Sequence, residues 1–158
     1  MKNKIFIAVD TKSNEKARFI IKNSKVKNFK VGFKFGLEFL NSKNGRNFIS
    51  KLKNKIIFAD YKLNDIPTTM QKAVISIKDL KINYLTVHIS SGLKALKSVR
   101  AVAGLTKIVG VTTLTSLDNN DLKQIGYNKK IKDLILHQVR LAKKANLDAI
   151  VCDGNSSK

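Results

Sequence analysis

Asp60, Lys62 and Asp65 are the residues of this chain whose types and spacing are best suited to chemistry. They follow the apolar run Ile56-Ile57-Phe58, which reads as a buried strand, so an acid and a base leave its end together. Side chains two apart in an extended chain share a face. Asp65 comes three residues after Lys62, in a loop closed by Pro67, the only proline. Two carboxylates flanking one ammonium keep it charged and fixed, ready to protonate a carbon that becomes basic only in the transition state. An isolated D-x-K is more often a structural ion pair at a strand end. Here the pattern extends to D-x-K-x-x-D-I-P-x-T, ending at Thr69.

The elements that must position these residues alternate along the chain. Ile5 to Val9 is a continuous apolar run ending at Asp10, as expected of a strand buried on both faces. Ser13 can cap a helix that turns Ala17, Ile20 and Ile21 inward. Asn28 to Phe35 alternates strictly, with Lys30, Gly32 and Lys34 on one face and Phe29, Val31, Phe33 and Phe35 on the other. Helical spacing resumes through Leu37, Phe39 and Leu40 and again from Phe48 to Leu52, before the strand that carries Asp60. Thr69 to Leu80 reads as a helix, Asn83 to His88 as a fourth strand, and Ser90-Ser91-Gly92 as a turn into a helix using Leu93, Leu96 and Val99. Lys107 to Val111 is a fifth strand, Ile131 to Ala145 an amphipathic helix, and Asp148 to Cys152 a sixth strand.

Strands separated by helices call for parallel βαβ units. Asp10, Lys34, Asp60, Lys62, His88 and Thr115 all fall at or just past the C-terminal ends of strands, where a (β/α)8 barrel assembles its site. An open doubly wound sheet would gather them at one switch point instead.

Composition bounds the function. The chain has 158 residues, 43% of them apolar, enough for one domain with a core. No apolar run approaches a membrane span, and the start leads into a strand without a signal-peptide core, so the expected compartment is the cytoplasm. One cysteine, Cys152, agrees with a reducing compartment and reads as a small apolar strand residue. The net charge of +20 would suit a polyanion, yet only Arg18, Arg46, Arg100 and Arg140 among 31 basic residues are arginine, and the lysines are dispersed. A nucleic-acid partner is therefore disfavoured. His88 and His137, the only histidines, form no ligand cluster and read as a hydrogen-bonded strand-end residue and a helix-surface residue.

The Asp60 to Thr69 run resembles the active-site segment of the orotidine 5′-phosphate decarboxylase family. Further segments resemble it in order: Ala8 and Asp10, Lys34 to Phe39, Thr86-Val87-His88 with Ser91-Gly92, Val111 to Leu117, and Asp148 to Cys152. The resemblance implies an α/β fold, a (β/α)8 TIM barrel with about six of its eight βα units, occupying residues 1–158 as a single partial domain without strands seven and eight. It implies decarboxylation of orotidine 5′-monophosphate to UMP and CO2 in de novo pyrimidine biosynthesis, with no cofactor and no metal. Lys62, Asp60, Asp65 and Lys34 would be catalytic. Asp10 would hold a ribose hydroxyl, Thr115 the pyrimidine edge, and Lys34, Asp60, Ile66 and Thr69 would also contact substrate. Asp65, Ile66 and Thr69 would reach across the interface of a homodimer. Lys30 competes with Lys34 for the second-strand role, and Gly36-Leu37-Glu38-Phe39 after Lys34 favours the latter.

A whole barrel takes about 200 to 250 residues. In the family the missing strands carry an arginine and a glutamine that grip the 5′-phosphate, and Asp153 to Lys158 offers no replacement. The expectation is weak or absent activity from this chain alone, with strands one and six left as open edges. Magnesium-dependent sugar-phosphate decarboxylases or aldolases of the same superfamily, and a basic nucleic-acid-binding protein, are the alternative readings.

Overall fold

A computed structural model describes residues 3–151. Six strands, β1 (Lys4–Ala8), β2 (Lys30–Phe35), β3 (Ile56–Leu63), β4 (Tyr84–His88), β5 (Lys107–Val111) and β6 (Ala149–Val151), lie in one sheet in chain order. Seven α-helices lie between them: α1 (Asn14–Asn23), α2 (Leu37–Leu40), α3 (Gly45–Ser50), α4 (Pro67–Ser76), α5 (Gly92–Val102), α6 (Asn119–Gln124) and α7 (Ile131–Lys144). β1 with β2, β2 with β3 and β5 with β6 pair in parallel, as crossover helices require. No helix among the described residues is long and apolar enough to cross a membrane.

The described residues form two compact units, 3–61 with 76–85 and 62–75 with 86–151, the partition passing through β3 and β4. In the first unit the register Lys4↔Lys30 to Ala8↔Lys34, followed by Lys34↔Phe58, brings the ends of β1, β2 and β3 level. The outer faces of β2 and β3 bury Phe33, Phe35 and Ile57 with Phe39, Phe48 and Ile49. The rings of Phe39 and Phe48 meet edge to face at 5.2 Å. On the opposite face Phe6 packs edge-on against Phe58 and Tyr84, with centroids 5.2 and 5.1 Å away. Gly32 makes room for it: a Cβ there would stand 2.6 Å from Phe6 Cε1. This aromatic layer lies two residues below Lys34 and Asp60, and so beneath the polar strand ends.

In the second unit Leu96, Val99, Ile108, Leu122 and Leu134 form the core. α6 was not expected from sequence. Asp118 nucleates it through a reciprocal capping box with Asp121. Gln138 of α7 is buried although polar, because its Oε1 accepts both the N–H and the hydroxyl of Thr113, at 2.8 and 3.1 Å.

Several expectations change. β1 is not buried on both faces: Ile5, Phe6 and Ile7 are half-buried, since β1 ends the sheet order. β6, at the other end, is exposed throughout. The helix expected over Thr69 to Leu80 starts at Pro67, whose fixed φ suits a first turn, and ends at Ser76; Lys78–Leu80 is a separate 3-10 turn. β2 starts at Lys30 because Asn28 takes a positive φ of 70°. Asp148 precedes β6, its carboxylate accepting the Ile108 N–H at 2.8 Å and lying 3.6 Å from Arg100. Cys152 lies outside the described residues.

Candidate active site

The first unit brings three of the expected residues together. Lys34, the fifth residue of β2, extends its ammonium to 3.6 Å from Asp60 Oδ2 and 4.0 Å from Asp10 Oδ1. Asp60 is 9% exposed, whereas the Asp10 side chain is open to solvent. Asp10 follows β1, where Val9 donates its N–H to the Lys34 carbonyl at 2.8 Å, so β1 is hydrogen-bonded to the residue its neighbouring acid must meet. A buried carboxylate is tolerated because a cation stands beside it. Lys30 shares a face with Lys34 but sits at the opposite end of β2, exposed and level with Lys4. That settles which of the two lysines adjoins the carboxylates.

The second unit holds Lys62, Asp65, Ile66, Thr69 and Thr115. Lys62 departs from the strand geometry assumed for it. Its φ is +50°, in the left-handed region, so simple alternation does not set the direction of its side chain. That conformation costs a residue with a Cβ about 1–2 kcal/mol. The Lys62 N–H donates to Thr86 Oγ1 at 2.8 Å, and Thr86 is 1% exposed. Such a bond is worth about 1 kcal/mol net, and leaving a buried donor unmet costs about 1–3. From sequence Thr86 is a strand residue in a segment that resembles the family, with no role of its own. Its role escapes sequence reasoning because the two residues are 24 apart.

Asp65 engages its own loop, its Oδ1 accepting the Ile66 N–H at 2.7 Å immediately before α4. Ile66 is 63% exposed, and Asp65 and Thr69 are exposed as well. Thr115 is exposed in the loop after β5, three residues beyond the buried Thr112. The Gln138 bonds to Thr113 anchor the base of that loop. His88 closes β4 half-buried, and His137 is exposed on α7, as its helical position suggested. Among the described residues no three His, Cys, Asp or Glu side chains gather as metal ligands.

Within the first unit, one ammonium set between two carboxylates at successive strand ends, above an aromatic layer, can bind a polar substrate and donate a proton. Residues 3–158 match the orotidine 5′-phosphate decarboxylase / HUMPS family. The chain belongs to that family. Orotidine 5′-phosphate decarboxylase of Sphingopyxis alaskensis is 39% identical, the match covering 100% of this chain and 70% of the relative. The enzyme of the same name from the Wolbachia of Brugia malayi is 39% identical over 95% of this chain and 67% of its own length.

Solved structures of the family agree. Orotidine 5′-phosphate decarboxylase from Lactobacillus acidophilus superposes with a TM-score of 0.86 at 26% identity, over 96% of this chain and 71% of that one. The Methanocaldococcus jannaschii orotidine 5′-monophosphate decarboxylase, complexed with the inhibitor BMP, superposes with a TM-score of 0.75 at 27% identity, over 96% of this chain and 68% of that one. The fold class is that family's (β/α)8 barrel, represented among the described residues by six of its eight strands.

Proposed function

We propose that this chain is an orotidine 5′-phosphate decarboxylase, converting orotidine 5′-monophosphate to UMP and CO2 in pyrimidine biosynthesis in the cytoplasm. The observation that carries the reading is the Lys34 ammonium of β2 set between Asp10 and Asp60, the latter on β3 two residues before Lys62. Membership of the family supplies the substrate.

The C6–carboxylate bond breaks and its electron pair stays on C6, in the ring plane, where no π system delocalises it. A fixed Lys62 ammonium stabilises that charge as it forms and then donates a proton to C6, yielding UMP. The benefit arises in the transition state, because the carbanion does not exist in the bound substrate. Asp60 sits by the substrate carboxylate, and their repulsion is relieved as CO2 leaves. Lys34 holds the Asp60 carboxylate in place through their ion pair. Asp10 takes a ribose hydroxyl, and Thr115 meets the pyrimidine edge. Asp65, Ile66 and Thr69 serve the partner's site in a homodimer; the exposure of Ile66 beside Asp65 supports this. No cofactor or metal takes part.

The test is loss of orotate absorbance on adding orotidine 5′-monophosphate to the purified chain with excess chelator, alongside calorimetric titration with UMP. Weak turnover that survives chelation and vanishes in Lys62→Ala is expected, with UMP bound by both proteins. Turnover that chelator stops, turnover retained by Lys62→Ala, or neither turnover nor UMP binding overturns the reading.

A further inference from the structure

We propose that Thr86 is a positioning residue for Lys62, its hydroxyl holding the lysine backbone in the left-handed conformation that aims the ammonium. The inference rests on the decarboxylase reading and extends it to a residue on a different strand. In a parallel sheet a backbone N–H ordinarily donates to a carbonyl of the neighbouring strand. At φ +50° the Lys62 peptide is rotated out of strand geometry, and a side-chain oxygen is its acceptor. The donor–acceptor distance is 2.8 Å, and Thr86 is 1% exposed, so water cannot readily replace the hydroxyl.

Two features make Thr86 suited to this role. It is β-branched, so its χ1 is restricted and its Oγ1 is held in one direction. It is also flanked by the fully buried Leu85 and Val87, which fix the backbone of β4 at that point. The left-handed turn comes at the lysine itself, the second residue after Asp60. Any relaxation of Lys62 toward ordinary strand geometry would therefore swing its side chain to a new direction. A displacement of about 1 Å at a reacting group can cost about 100-fold in rate.

Thr86→Val keeps the shape of the side chain and removes the acceptor, whereas Thr86→Ser keeps the acceptor. Backbone NMR on the intact chain reads the effect directly. In Thr86→Val the Lys62 amide and its Cα and Cβ shifts should move and amide exchange should accelerate. Roughly 10- to 100-fold should be lost from kcat with KM little changed. Thr86→Ser should restore both, a pattern that a loss of stability alone does not produce. Should Thr86→Val not fold, Thr86→Cys, with its weak acceptor, provides the same comparison.

Unmoved Lys62 signals overturn the inference, as do moved signals with kcat retained. Absence of turnover in the unsubstituted chain counts against the decarboxylase reading alone. The Lys62 signals then still decide on Thr86: moved and restored by serine they uphold its hold on the lysine, and unmoved they refute it.

Discussion

Lys34 Nζ lies 3.6 Å from Asp60 Oδ2, and it reaches 4.0 Å from Asp10 Oδ1, so one ammonium on β2 faces carboxylates from both flanking segments. Its effect on Asp60 should exceed that of a surface pair, because the Asp60 side chain is only 12% exposed. Lys34→Met should lower kcat/KM by at least about 100-fold, comparable to losing a preorganised electrostatic group. The cost in stability should be about 1–2 kcal/mol, less than for a fully buried pair because Lys34 is itself 32% exposed. Lys30→Met, at the other end of the same strand face, should change neither. Steady-state rates and urea unfolding of the two variants side by side check this, and equal effects would refute it.

Gly32 should be intolerant of even one methyl group. An added Cβ would lie 2.6 and 2.7 Å from Phe6 ring carbons and 3.2 Å from Ile56 Cγ2. Gly32→Ala should cost about 1–3 kcal/mol through overpacking. Combining it with Phe6→Leu should recover part of that loss, and a double-mutant cycle in urea measures the coupling.

Gln138 is predicted to matter to the loop that carries Thr115 although it lies on α7. Gln138→Leu removes the acceptor of the Thr113 N–H and hydroxyl. Stability should fall by about 1–3 kcal/mol. Limited proteolysis should begin cutting between α6 and β5, near Thr115, and KM should rise more than kcat falls. An unchanged cleavage pattern would show that the loop does not depend on this anchor.

Tyr61 gives a pH dependence with a definite sign. Burial raises its phenol above the ordinary 10.0, the Arg46 charge pulling it down and Asp79 pushing it up. The unfolded chain therefore loses this proton first. The stability linked to it is fully present below pH 10.0 and declines as pH rises through that value toward the folded pKa. Tyr61→Phe should flatten the decline above pH 10.0 and leave the neutral region alone, as read from thermal unfolding across pH. An identical alkaline limb in both proteins would refute it.

Ile66 tests the proposed homodimer. Its side chain is 63% exposed beside Asp65 and at the start of α4. Ile66→Lys should shift sedimentation from dimer to monomer and make specific activity depend on protein concentration. A monomeric parent chain would remove Asp65 and Thr69 from the partner's site.

The sequence by itself determined the βα order and the family. Apolar runs and helical spacing are local signals, and chemically active residues at strand ends leave a periodic mark. It also determined which side of β2 carries lysines, since strict alternation puts Lys30, Gly32 and Lys34 together. Both lysines obey that alternation; the family-like Gly36-Leu37-Glu38-Phe39 favoured Lys34, and the register of β2 with β1 and β3 is what brings it to Asp10 and Asp60. The left-handed turn at Lys62 has no sequence mark, because nothing in a lysine favours it. Its hydroxyl acceptor is 24 residues away, and the glutamine that anchors the Thr115 loop is 25 residues from Thr113. Side-chain bonds across such separations form only once strands and helices have packed, and tertiary structure alone decided them.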